Sequence, residues 1–261
     1  MIAVLLVLSM MPLWLFGCGK LDSKVEERLV EMMIGDGSLS SDSDVGSSYI
    51  SELDADVTAL RTTFTSGTWS QSTITGSEST RTQHFKNLYV LTKAWATKRS
   101  SFYHDGDILD MINSALEYGM GIYGEEQRGE REYALTMMER CDSAEYLVRS
   151  LLILHDSGKV KSRQIPDLLA AVNYKFPAAF GDAVDLIRTS YIALGAAVLS
   201  GDNDRIPQII SDYLINAVGI VASGDGLYAD GSYIAYNKTA STGSYGVMGF
   251  STLVELAYAV S

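Results

Sequence analysis

The sequence predicts an all-helical domain built from successive antiparallel helix pairs. Apolar residues recur at three- and four-residue spacing through most of the chain after residue 49, and strand-type alternation is confined to a few residues near Tyr228 and Tyr233. Short polar connections separate the periodic stretches, so neighbouring helices run in opposite directions. With 261 residues, 47% of them hydrophobic, the chain can fill a sizeable core.

The first eighteen residues, MIAVLLVLSMMPLWLFGC, are apolar but short, and Pro12 interrupts them, so they resemble the core of an export signal more than a spanning helix. Their end, LFGC, resembles a bacterial lipoprotein cleavage box, which makes Cys18 the residue to carry lipid. No Lys or Arg precedes the run, a departure from a standard signal; the alternative is a buried N-terminal helix.

Residues 19–48 divide into a short amphipathic helix in LDSKVEERLVEMMIG and a flexible tether, Asp36–Ser48. The tether, DGSLSSDSDVGSS, has little apolar surface to offset the entropy of ordering. The folded domain is expected over residues 49–261. Its helices are expected in ISELDADVTALRTTF, HFKNLYVLTKAWATKR and DILDMINSALEYGMGIYG, where Ile108, Ile112, Leu116 and Met120 make an apolar stripe behind a capping Asp107.

REYALTMMERCDSAEYLVRSLLILHDSGK follows as one long helix or two broken near Asp142–Ser143, with Ser157–Gly158 as the stop. The remaining helices fall in SRQIPDLLAAVNYKF, DAVDLIRTSYIALGAAVLSG, DRIPQIISDYLINAVGIVA and YGVMGFSTLVELAYAV. The small residues of YIALGAAVLSG suit close helix packing.

A net charge of −12 and a pI near 4.6 argue against nucleic acid as a partner. Two cysteines cannot build a disulfide framework, and a Cys18–Cys141 bridge is the alternative to lipidation of Cys18. His84, His104 and His155 form no HExxH or similar spacing, so neither a metal nor another cofactor is expected. His155 suits a helix end, and His84 and His104 suit surface or capping hydrogen bonds. No phosphate loop, dinucleotide fingerprint or GxSxG elbow occurs.

The chemistry-bearing residues concentrate in DGLYADGSYIAYNKTASTGSYG, from Asp225 to Gly246. Asp225 and Asp230 are placed either to flank a groove or, the simpler reading, to hold the amides of a turn. Asn237-Lys238-Thr239 has the form of a glycosylation acceptor. Tyr228, Tyr233, Tyr236 and Tyr245 offer flat faces for sugar rings and hydroxyls for proton transfer.

This segment resembles the loop of the polysaccharide lyases of family 8, which act on hyaluronate, chondroitin or xanthan and whose catalytic domain is an incomplete α/α toroid. There the run commonly reads DGFYxDGSxIxH, followed by YTGxYG. The likeness extends backward through DAVDLIRTSYIALGAAVLSGDNDRI to SLLILHD, and more weakly through HFKNLYVLTKAWATKRSSFYHDGDILDMINSAL, covering roughly Tyr49 to Ser261.

The resemblance implies β-elimination at a uronic acid, without metal, on an acidic polysaccharide. The family's catalytic tyrosine falls on Tyr245, its histidine on Tyr236, and the first tyrosine of YTG on Ser241. The substrate-binding set expected beside them is Trp69, Tyr228, Tyr233 and Asn237. The family's NWW-type asparagine and aromatic wall find no counterpart around Leu135–Arg140, and its GAN element is matched only by Gly181–Asp182–Ala183. Its further arginines and β-sheet domains lie beyond Ser261. The expectation is therefore a divergent, C-terminally incomplete toroid, monomeric, secreted or anchored outside the cytoplasm through Cys18; the alternative is a noncatalytic glycan-binding or structural toroid.

Overall fold

The computed structural model describes residues 24–35, 44–69, 78–127, 137–160, 183–214, 218–235, 239–240, 243 and 245–261. The chain divides into two compact units, one of residues 30–175 and one of residues 176–261 with the stretch up to Leu29. Helix α1, Val25–Ile34, is the amphipathic helix expected ahead of Gly35.

In the 30–175 unit, α2 spans Asp44–Thr63, α3 Glu78–Ala96, α4 Gly106–Gln127 and α5 Met137–Asp156. Helix α2 begins five residues before Tyr49, inside the stretch expected to be a tether. Helix α3 is the hub, packed most extensively on α5 and also on α4 and α2. Leu88, Leu91 and Trp95 of α3 and Leu147, Leu151 and Leu154 of α5 are buried, at the three- and four-residue spacing the sequence displays.

The α4 stripe of Ile108, Ile112 and Leu116 is buried as expected. Its cap is different: Asp105, not Asp107, accepts the hydrogen bond from the Ile108 amide at 3.1 Å. Asp107 lies exposed, 3.8 Å from Arg61. Helix α5 runs unbroken through Asp142–Ser143. It ends where the Gly158 amide bonds the His155 carbonyl and the Lys159 amide the Leu154 carbonyl, with Gly158 at φ 67°.

Between α2 and α3 lies a hairpin that the helical periods gave no sign of. Strands β1, Phe64–Thr65, and β2, Thr68–Trp69, pair antiparallel with Phe64 opposite Trp69. Ser66 and Gly67 both take positive φ, 49° and 84°, the conformation of the tight turn that matches strand twist. A Cβ on Gly67 would lie 2.8 Å from the Ser114 carbonyl oxygen of α4, so glycine serves both the turn and the close approach.

In the other unit α6 spans Ala183–Ser200 and packs against α8, Tyr245–Ala259. Tyr191, Ile192 and Leu194 of α6 and Leu253 and Leu256 of α8 form its core. Gly249 permits the approach, since a Cβ there would be 2.9 Å from Val184 Cγ2. Arg28 of α1 donates to the Ala259 carbonyl at 3.5 Å.

The stretch expected as one helix from Asp204 is instead a 3-10 turn, Asn203–Arg205, a single α turn, α7 at Ile206–Ile209, and a π turn, Ile210–Leu214. Ile206, Ile209 and Leu214 are buried across these three changes of helical pitch. The helix expected over residues 162–176 lies outside the described residues. Among the described residues no helix is long and apolar enough to cross a membrane.

Candidate functional site

The loop from Asp225 folds as a small antiparallel sheet. Strand β3, Gly226–Leu227, pairs with β4, Tyr233–Ala235, which pairs with β5, Thr239–Ala240. Leu227 faces Tyr233 in register, and Ala235 faces Thr239. The sheet is short because glycine and aspartate bend the chain on both sides of β3. Gly224 has φ 82°, Gly226 φ 139° and Gly231 φ 83°, conformations that side chains with a Cβ rarely adopt.

The turn between β3 and β4 is held by its own backbone and by Asp230. The Tyr228 amide donates to the Ser232 carbonyl at 2.9 Å and the Gly231 amide to the Tyr228 carbonyl at 2.8 Å. One Asp230 carboxylate oxygen accepts from the Ser232 amide at 2.9 Å and from its hydroxyl at 2.7 Å. These two bonds hold the Asp230 carboxyl below the usual carboxylate range. Of the two readings for this aspartate, the turn-holding one is the arrangement seen.

Tyr228 is half-buried, and its hydroxyl donates to the Gly224 carbonyl at 2.9 Å, which ties the turn back to the entry of β3. Val221 bonds the Leu227 carbonyl at 2.9 Å, and its methyl groups sit 3.0 and 3.1 Å from where a Gly226 Cβ would be. Tyr233 points the other way from the turn: it is buried at 3% exposure. With Leu227, Ile187, Phe250 and Leu253 it walls a void of about 20 Å3, room for one water. The loop is therefore fixed on the α6–α8 layer on one side and open on the other.

The candidate residues fall unequally on this frame. Tyr245 is the first residue of α8, five residues after the end of β5; its side chain lies outside the described residues. Tyr236, Asn237, Ser241 and Cys18 lie outside the described residues altogether, as do Leu135 and Gly181–Asp182. Tyr228 is the one tyrosine of the set with a described, partly exposed ring.

Trp69, expected as an aromatic platform, is 1% exposed. Its indole donates to the Leu60 carbonyl at 3.1 Å, and its ring meets Phe64 at 5.2 Å and His84 at 5.4 Å between centroids. An enclosed ring has no face for a sugar, so Trp69 serves the hairpin; Tyr233 is enclosed in the same sense.

His84 differs from its expected surface position: it is fully buried. Its Nδ1 is 3.2 Å from the Thr68 hydroxyl and its Nε2 3.0 Å from the Ala115 carbonyl, so Nε2 carries the proton and Nδ1 accepts. Burial pushes its pKa down, against the pull of the Ala115 carbonyl, to about 4. It is a neutral core histidine that joins the β2 end of the hairpin to α4. The polar residues flanking an apolar period gave no signal of this, because burial of His84 depends on a hairpin with no helical period. Among the described residues no group of three His, Cys, Asp or Glu is placed to hold a metal ion.

The mostly helical fold matches solved α/α-toroid polysaccharide lyase structures. Residues 151–260 match the N-terminal alpha-helical domain of polysaccharide lyase family 8. Hyaluronate lyase HylB of Enterococcus faecalis (strain ATCC 700802 / V583) is 27% identical over 187 residues, 63% of this chain and 18% of that protein. The polysaccharide lyase 8 family protein HylA of the same strain is 27% identical over 173 residues, 12% of its length.

Among solved structures, the Streptomyces coelicolor A3 chondroitin AC lyase in complex with chondroitin sulphate superposes with a TM-score of 0.79 at 20% identity, covering 91% of this chain and 32% of that one. A Paenibacillus xanthan lyase superposes at 0.75 with 17% identity, over 88% of this chain and 22% of its own. The chain thus resembles, over residues 151–260, the N-terminal helical domain of family 8, and its fold matches that of these lyase structures. It spans less than a third of the length of each of these relatives.

Proposed function

We propose that the chain supplies the catalytic helical domain of a secreted polysaccharide lyase that breaks an acidic, uronate-containing glycan such as hyaluronate or chondroitin by β-elimination. The observation that carries this reading is the DGLYADGSYI and STGSYG pair of elements, inside the region that matches family 8 and leading into α8 at Tyr245.

In this reaction a neutralising group holds the uronate carboxylate, so that charge developing on it as an enolate is stabilised. A base takes the proton from the adjacent ring carbon. The bond to the leaving sugar oxygen then breaks as the new C=C bond forms, and an acid returns a proton to that oxygen. Tyr245 is assigned the proton transfer, Tyr236 stands at the family histidine's position, and Tyr228 and Asn237 hold the sugar. The N-terminal apolar run is the export signal, with Cys18 as an anchor that metabolic labelling with a radioactive fatty acid would reveal.

A second reading, glycan binding without turnover, is favoured by two departures: tyrosine at 236 in place of histidine, and no NWW-type asparagine. Losing one oxyanion-type stabiliser costs about 3 kcal/mol, and two such losses compound. Incubation of the full chain with hyaluronate, chondroitin and xanthan separates the readings. Ultraviolet absorbance from the new C=C bond supports elimination; saturable binding with no absorbance supports the second reading; neither removes both.

A further inference from the structure

Far along the chain from the loop, a pocket of about 260 Å3 opens in the 30–175 unit between the end of α1, the first turns of α2 and the end of α3. Its wall combines apolar Met33 and Ile50 with Tyr49 and three cations, Lys93, Lys98 and Arg99. Among the described residues no Asp or Glu lines it, in a chain with 32 acidic side chains to 20 basic ones. The described part of the wall is thus basic in a protein that is acidic as a whole.

The cations occupy different depths. Lys93 is half-buried, with its ammonium 5.1 Å from the Tyr49 ring centroid and 5.7 Å from that of Tyr89. Burial pushes the Lys93 pKa down, but the Tyr89 and Tyr49 phenols outweigh it and raise the pKa, so the ammonium stays charged inside the wall. Lys98 is exposed and Arg99 half-exposed, nearer solvent. The ammonium bonds the Tyr49 side chain, and a charge partly withdrawn from water attracts an anion more strongly than one in open water. Tyr49, 41% exposed, offers a ring beside the ammonium.

The size limits the occupant. A volume of about 260 Å3 lies just under the ~300–1,000 Å3 usual for small-molecule sites, and holds about nine waters at ~30 Å3 each. One sugar ring or a short organic acid fits.

We propose that this pocket binds a compact organic anion, a carboxylate carried on a body about the size of one sugar ring. The carboxylate meets Lys93 and Lys98, and the body lies along Met33 and Ile50. The site is built from residues 32–99 alone and does not rest on the lyase reading.

Titration calorimetry of the full chain with glucuronate, hexanoate and glucose tests it. At least one carboxylate is expected to bind ten or more times more tightly than glucose. Its affinity should fall at least fivefold in Lys93→Met and in Lys98→Gln, while Tyr245→Phe leaves it unchanged. Tighter glucuronate identifies a sugar acid, and tighter hexanoate an aliphatic acid. Lys98 is exposed, so Lys98→Gln with an unchanged melting temperature reads the site even if Lys93→Met fails to fold. Glucose binding as tightly as both carboxylates, wild-type affinity in Lys98→Gln, or loss of binding in Tyr245→Phe would overturn the proposal.

Discussion

Among the described residues are two glycine-containing hairpins, each with an aromatic residue suited to stacking on sugar, and the protein uses them in opposite ways. At β1–β2 the two-residue turn Ser66–Gly67 folds Trp69 into the core, against Phe64 and His84, with its indole bonded to Leu60. At β3–β4 a longer turn, pinned by Asp230, keeps Tyr228 half exposed with its hydroxyl on Gly224. The first glycine is required because a carbonyl of α4 lies where a Cβ would be; those of the second bend the chain beside a tyrosine. One hairpin is a packing device, and the other presents polar atoms at the edge of a packed layer.

The difference should appear first in stability. Trp69→Ala removes a buried indole and its hydrogen bond, and is expected to lower unfolding free energy by about 3–5 kcal/mol, read from the urea midpoint. Loss under 1 kcal/mol would mean that the hairpin is not part of the core.

The same hairpin predicts a pH dependence. His84 has a folded pKa of about 4 against 6.5 for an ordinary histidine. Above pH 6.5 both states are neutral and stability is full. As pH falls, the unfolded chain takes a proton that the folded one refuses, so stability drops between pH 6.5 and about 4, by a total of about 3 kcal/mol. The melting temperature of wild type should fall through this window more steeply than that of His84→Gln. Parallel curves would place the titration elsewhere.

The second hairpin should respond weakly. Tyr228→Phe removes one half-buried hydrogen bond and is expected to cost about 1 kcal/mol in the same denaturation experiment. A cost as large as that of Trp69→Ala would erase the contrast between the two turns.

The helical core was legible because burial on one face of a helix writes itself into the sequence as a period. Ile108, Ile112 and Leu116 are spaced for a helix, and they are buried as one. The β1–β2 hairpin was not legible: its strands have two residues each, too few for alternation to register. The fate of Trp69 and His84 followed from that omission, since both depend on a turn set by Ser66 and Gly67. The stretch after Asp204 misled because Ile206, Ile209 and Leu214 stand at positions that share one face of an α-helix, and the spacing carries no sign that the backbone passes from 3-10 to α to π. In the candidate site, the bends at Gly224, Gly226 and Gly231 and the Asp230 turn followed from residue chemistry. Which tyrosines stay open did not, since Tyr228 sits in the turn after β3 and Tyr233 in β4, a difference set by the fold of the sheet.

The lyase reading is tested most directly by comparing wild type with Tyr245→Phe on hyaluronate and chondroitin, following the absorbance of the unsaturated product. The account predicts measurable product from wild type and at least a hundredfold less from Tyr245→Phe at an unchanged melting temperature, a loss of about 3 kcal/mol in transition-state stabilisation. Equal rates from the two proteins would contradict it.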